Sequence, residues 1–236
     1  ALALALMAKQ KGYGLKVVMP KGVTPGMAEL LEMLGAQILW EEFSVGMKGA
    51  VERALLLGQE KGHYATRQFQ DQANVLAHYG ATGHESLAAL HNPDVFVAGI
   101  GTGGTITGVG RRLKEQNPEV QILGVTSRTG DAVQGLRSLE GGYTPPLLDL
   151  GLLNGRFLVD SVTSFAVMRE LLEKEGLFAG VSSGSVLHAA LRVAGRMEKG
   201  NVVALLADTG WRYMPALFGM ERLQALGEDP DNRAWW

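Results

Sequence analysis

Short apolar runs alternate along the chain with longer stretches of helical period, and this alternation sets the expected fold. A helix ending near Gly12 precedes a strand over residues 15–19. Thr24 and Pro25 make a cap followed by a proline at the first helical position, for a helix that stops at Gly35. Residues 36–40 read as a second strand, and a further helix runs to about Gly58. Beyond Tyr64, a loop rich in Gln and Asn leads to a helix through Leu90 and a strand over 95–100. A helix from Thr105 ends near Pro118, and 121–126 is again a strand. Residues 130–155 are irregular, holding Pro145, Pro146 and several glycines. A strand over 156–159, a helix over 164–175, a helix from Ser183 and a strand over 202–206 complete the order. Strands alternating with helices of this length imply βαβ units, hence an α/β fold of parallel sheets with helices on both faces. The loop 63–74 is the expected crossing between two domains.

Composition adds mostly exclusions. The 236 residues are 46% hydrophobic and 19% charged with a net charge of −2, as in ordinary globular chains. Basic and acidic residues are interspersed, so no nucleic-acid partner is expected. There is no cysteine, which excludes disulfides, thiolate metal sites and a thiol nucleophile. The five histidines, His63, His78, His84, His91 and His188, show no metal-ligand spacing and are expected to cap helices or lie on the surface. The Ala/Leu opening lacks a preceding basic segment and is ended by Lys9, Gln10 and Lys11, so neither a signal peptide nor a membrane span is expected. It reads as the interior of a helix, from which a preceding segment is expected. Adjacent Glu41 and Glu42 read as a solvated strand end, and Arg111 and Arg112 as an exposed helix face.

The sharpest chemical feature is Gly101-Thr102-Gly103-Gly104-Thr105, between an apolar strand and a helix. Glycines there let successive N–H groups point inward, and the helix N-terminus adds partial positive charge, which suits a phosphate held by backbone. A tight strand-to-helix turn is the plain alternative. Gly99, Gly101 and Gly104 also match the dinucleotide fingerprint, but the strand over 121–126 ends in Ser127 and Arg128, with no carboxylate for a ribose. No Gly-Lys-Ser/Thr follows, so a Walker loop is excluded. A second polar cluster, Ser182-Ser183-Gly184-Ser185, opens an apolar helix, and on local physics alone N-capping explains it.

Together these motifs resemble the cysteine synthase family of fold-type II pyridoxal-phosphate enzymes, over essentially the whole chain. Residues 16–20 are similar to the segment that follows the family's substrate loop. Gln68-Phe69 with Ala73-Asn74 is similar to its Q-F-x-x-P-x-N pattern, with Gln72 in place of proline. Residues 101–109 resemble its phosphate loop, and 178–184 its segment facing the pyridine nitrogen. Residues 208–213 resemble the closing motif of the cysteine synthase B branch, with Met214-Pro215 in place of Leu-Ser.

The resemblance implies two open, mostly parallel sheets flanked by helices. Residues 1–62 would be the remainder of a smaller domain and 63–236 a larger cofactor-binding domain. It implies pyridoxal 5'-phosphate as cofactor, its phosphate bound by Gly101, Thr102, Gly103, Gly104 and Thr105 and its ring nitrogen by Ser182. It further implies Gln68 at the substrate carboxylate and Arg137, within Gln134-Gly135-Leu136-Arg137, near the β-substituent. The family's Schiff-base lysine and S-G-N-T loop fall upstream of residue 1, so no catalytic lysine is expected among these residues. The implied reaction is β-replacement of O-acetylserine or O-phosphoserine by a sulfur nucleophile, through an aminoacrylate, to give cysteine. A serine or threonine dehydratase, or a non-catalytic homologue, remain the alternatives, and the sulfur donor stays open. A cytoplasmic homodimer with small-molecule substrates, no metal and no membrane partner is the accompanying expectation.

Overall fold

The structure, a computed structural model, describes residues 1–21, 25–42, 46–131, 133–140 and 144–213. Thr24 of the expected cap and the Met214-Pro215 departure lie outside these residues. Contacts divide the chain into two compact units, which join in sequence between Arg67 and Gln68, inside the loop 63–74. The division has a local cause on each side. Ala65 packs on Gly58 and His63 bonds Lys16, whereas the Gln68 carbonyl is held by Asn74 and Phe69 is buried.

In the first unit, α1 (Leu2–Lys11) ends at Gly12 in the left-handed conformation and leads to β1 (Leu15–Pro20). The helix α2 (Pro25–Met33) then crosses to β2 (Ala36–Glu41), which pairs parallel with β1 in the register Leu15 to Ala36. Ala5, Met19, Leu31 and Ala36 form the buried core beneath this βαβ unit. The helix α3 (Gly46–Leu57) follows, and its Arg53 pairs with Glu41, which is therefore half-buried while Glu42 is exposed.

The second unit carries a four-stranded sheet, all parallel, in the order β5 (Gly155–Leu158), β4 (Gln121–Thr126), β3 (Val95–Gly99), β6 (Val202–Ala204). A short helix α4 (Ala73–Ala77), a wider turn of π-helix over His78–Thr82 and α5 (Gly83–Ala89) precede β3 (Val95–Gly99). Then come α6 (Gly104–Gln116), β4 (Gln121–Thr126), β5 (Gly155–Leu158), α7 (Ser161–Glu175), α8 (Val181–Ala194) and β6 (Val202–Ala204). The uninterrupted apolar run of β3 reflects burial on both faces, as in parallel sheets generally. Phe96 and Ala98 pack with Ile106, Val109 and Leu113 of α6, while Val95 and Val97 pack with Val186, Ala189 and Ala190 of α8. Period-two alternation on one strand thus builds two cores, one per face.

Three helix boundaries differ from the sequence expectation, each for a local reason. The helix expected from Ser164 starts at Ser161, because the Asp160 carboxylate caps it by accepting the Thr163 N–H at 2.7 Å. The helix expected from Ser183 starts at Val181, with Gly180 as its cap and no side-chain capping bond. The helix expected through Leu90 is interrupted by the π turn, which sets His78 and Thr82 facing each other. No described helix is long and apolar enough to cross a membrane.

Candidate functional site

Strand order decides where a site can form. From β3 the chain proceeds to β4 and β5 on one side, then returns to place β6 on the other side of β3. Ligands of open parallel sheets bind outside the carboxyl ends of the strands where the order reverses. A cavity of about 230 Å³ lies there, lined by Gly99 to Thr105 residues after β3 and by Leu205 and Ala207 after β6. Gly135, Leu136, Ser182 and Val186 close it from the α8 side. No charged side chain lines it among the described residues.

The floor is the glycine loop. Gly103, with φ of 86°, caps α6 in the left-handed region, where L side chains are strained. A Cβ on Gly103 would stand 2.7 Å from Leu148 Cα, because buried Thr107 binds the 147–149 segment against α6. A Cβ on Gly104 would overlap the Asn74 carboxamide. Asn74 is the buttress of the loop: its Nδ2 donates to the Gln68 carbonyl at 2.9 Å and to Thr102 Oγ1 at 3.0 Å. The Gly104 N–H donates to the same Thr102 oxygen at 3.2 Å. Thr102 Oγ1 therefore accepts twice, and its own O–H proton is left for an anion in the cavity.

Thr105 is oriented from behind. Its Oγ1 lies 3.0 Å from His78 Nε2, and His78 Nδ1 lies 3.0 Å from Thr82 Oγ1. Burial lowers the His78 pKa below the ordinary imidazole value, favouring the neutral ring. The tautomer protonated at Nε2 donates to Thr105 and leaves that hydroxyl's proton for an anion. The expectation that His78 caps a helix or lies on the surface is corrected here: it is half-buried between two threonines. The Thr82 half of this relay is readable as a spacing of four residues. The Thr105 half joins residues 27 apart and has no local signal.

The opposite wall comes from the start of α8. Ser182 is 6% exposed and lines the cavity from the helix's first turn. Since Gly180 is the cap, neither Ser182 nor Ser183 is needed for capping, which removes the plain reading of this cluster. The Gly180 N–H donates to the Asp208 carbonyl at 2.9 Å, and Tyr213 Oη donates to the Asp208 carboxylate at 2.9 Å. Through Asp208, the 208–213 motif fixes the start of α8 relative to the end of β6.

Of the residues singled out in the sequence, Gly101, Thr102, Gly103, Thr105 and Ser182 line one cavity. Gly104 faces Asn74 instead. Gln68 is exposed on the loop that Asn74 holds. Arg137 follows the cavity-lining Leu136, and its N–H donates to the Ile100 carbonyl at 2.8 Å. Its guanidinium lies 4.9 Å from the centre of the Phe69 ring.

This donor set fits pyridoxal phosphate. The N-terminus of α6, with a glycine as its cap, and two threonine hydroxyls suit a phosphate dianion, while Leu136, Val186 and Leu205 supply apolar walls for a ring. At the far side Ser182 offers a neutral hydroxyl to a ring nitrogen. The comparisons agree with this chemistry. The family model described as pyridoxal-phosphate dependent enzyme matches residues 1–208. A cysteine synthase of Staphylococcus aureus is 32% identical over 223 residues, covering 90% of this chain and 72% of the relative. Cysteine synthase B of Salmonella typhimurium is 35% identical over 222 residues, covering 93% of this chain and 73% of the relative. The crystal structure of O-ureido-L-serine synthase matches with a TM-score of 0.84 at 32% identity, over 90% of this chain and 71% of that protein. A family model matched over residues 1–208 and relatives covered over most of their length lead to one assignment: the chain belongs to the cysteine synthase family of pyridoxal-phosphate-dependent enzymes.

Proposed function

We propose that this protein makes cysteine by exchanging the β-substituent of an O-activated serine for a sulfur nucleophile. The observation that carries the reading is the cavity at the reversal of strand order, lined by the glycine loop and threonines before α6 and by the uncharged Ser182 hydroxyl of α8. When bound, pyridoxal phosphate supplies the electron-withdrawing ring that makes the α-proton acidic and the β-substituent labile. The residues of the chain hold and bias that ring. Gly101, Thr102, Gly103 and Thr105 bind the phosphate with backbone N–H groups and hydroxyls. Ser182 binds the ring nitrogen without a charge, which suits elimination, where the leaving group takes the electrons. The apolar walls keep water from the reacting carbon.

The covalent anchor lies on none of the nine lysines of this sequence. All but Lys114 are exposed, and Lys114 donates its ammonium to the Pro118 and Val120 carbonyls. The protein works in the cytoplasm as a homodimer.

For the substrate, Gln68 receives the amino-acid carboxylate and Arg137 the β-substituent. A phosphate monoester is a dianion and suits the planar guanidinium fork, whereas an acetyl ester needs no cation. The favoured substrate is therefore O-phosphoserine. The test is cysteine formation by the full-length enzyme from each ester with sulfide. Arg137→Ala is expected to lower the ratio of kcat/KM for phosphoserine over acetylserine by about tenfold or more, as loss of a charge-assisted pair of about 1.5–3 kcal/mol requires. No cysteine from either ester rejects the reaction, and an unchanged ratio rejects the role of Arg137.

A further inference from the structure

A hydroxyl serves an anion only by giving its proton, and for Thr102 the two groups behind it decide whether it can. The Gln68 carbonyl can only accept, so the Asn74 atom that meets it at 2.9 Å is the amide nitrogen. That same nitrogen lies 3.0 Å from Thr102 Oγ1 and donates its second proton there. The Gly104 N–H donates to Oγ1 at 3.2 Å, so both lone pairs of the hydroxyl are taken. What remains is one O–H, on a residue that lines the cavity.

The fold holds Asn74 where this requires it. Its N–H donates to the Asp71 carbonyl at 3.1 Å, and the next residue, Val75, is buried. The helix α4 approaches α6 so closely that a Cβ on Gly108 would overlap the Val75 carbonyl oxygen. The carboxamide itself occupies the space beside Gly104, which does not line the cavity. The glycine at 104 therefore makes room for Asn74.

We propose that Asn74 is a positioning residue that fixes the polarity of the Thr102 hydroxyl, so that it donates to the cofactor phosphate. The proposal rests on the reading of Thr102 as a phosphate ligand and adds what makes it a donor. An aspartate of the same shape reverses the arrangement. A carboxylate cannot donate, and it draws the Thr102 proton to itself and away from the phosphate.

The experiment uses the full-length protein and the variants Thr102→Val, Asn74→Asp and Asn74→Ala, with each Asn74 variant also combined with Thr102→Val. Two quantities are read: the Kd of pyridoxal phosphate, by titrating protein freed of cofactor, and the phosphorus NMR shift of the bound phosphate. Thr102→Val and Asn74→Asp should each weaken binding about tenfold or more, as loss of a charge-assisted bond requires, and Asn74→Asp should also move the resonance. Asn74→Ala leaves the hydroxyl untethered but able to donate, so its loss should be smaller, about two- to fivefold. With Thr102→Val in place, Asn74→Asp should cost at least about threefold less than it does alone, and Asn74→Ala almost nothing, since both act through the hydroxyl. An Asn74→Asp protein with unmoved Kd and resonance would overturn the proposal. So would an equal loss with and without the hydroxyl, which means that the carboxylate acts by charge alone. Either result leaves Thr102 in its role, whereas an unchanged Kd in Thr102→Val would overturn that reading and the proposal together. Melting curves of the cofactor-free proteins identify a folding loss. If Asn74→Asp does not fold, Asn74→Ala decides the matter, and equal losses in the two backgrounds would overturn the proposal.

Discussion

Replacing Gly103 with alanine separates a phosphate seat from a mere turn. Alanine at φ of 86° costs about 1–2 kcal/mol for the left-handed backbone. In a chain of this size each kcal/mol moves the melting temperature by about 2–4 °C, so the backbone strain alone predicts a fall of about 2–8 °C. The overlap with Leu148, 2.7 Å to its Cα and 2.8 Å to its nitrogen, is with backbone and forces the loop itself to shift. Gly176, which ends α7 at φ of 68° with nothing within 4 Å of an added Cβ, is the matched control. Gly176→Ala carries the same strain without the overlap. The assay is thermal unfolding of the full-length protein with and without pyridoxal phosphate. At a hundredfold excess over Kd the cofactor stabilises by about 2.7 kcal/mol, an increment of about 5–11 °C. Wild type and Gly176→Ala should both show it, and Gly103→Ala should lose more than half. Equal increments in all three proteins would mean that the loop is only a turn and the phosphate sits elsewhere.

Other expectations follow from single contacts. Ser182→Ala removes one hydrogen bond of roughly 0.5–1.5 kcal/mol and should lower kcat/KM by about two- to tenfold; Ser182→Asp, which brings a charge to the ring nitrogen, should also shift the cofactor's absorbance. Unaltered kinetics and spectra in both would leave Ser182 with a packing role. His78 is held neutral by burial, with its pKa lowered from 6.5, so the unfolded chain binds more protons than the folded one as the pH falls below that value. The stability it contributes is present above 6.5 and is lost below it, and the slope of melting temperature against pH should flatten in His78→Gln. An unchanged slope would show that His78 is not held neutral. Borohydride reduction of this 236-residue chain with pyridoxal phosphate, followed by mass mapping, should give no stoichiometric pyridoxyl-lysine.

What could be read from sequence was what local pattern controls. The apolar run of β3 and the glycines after it declared a strand and a tight turn into a helix in one line of residues. Parallel sheets followed from the alternation of elements. What could not be read was set by contacts distant along the chain. Nothing near Asn74 says that it braces Thr102, nor does anything near His78 say that it reaches Thr105. Ser182 looked like a cap because serine caps well; only the folded chain shows Gly180 in that position, freeing the hydroxyl to line the cavity. Helix starts were missed where a single side chain decides them, as Asp160 does for α7. The pairing of Phe69 with Arg137 likewise joins two loops that sequence treats as unrelated.

A crystal structure of the full-length protein grown with pyridoxal phosphate tests the assignment of the cavity most directly. The phosphate should lie at the N-terminus of α6, within hydrogen-bond reach of the Thr102 and Thr105 hydroxyls, and the ring nitrogen should face Ser182 Oγ. A phosphate bound away from residues 101–105, or a ring nitrogen facing a charged side chain instead of Ser182, would contradict it.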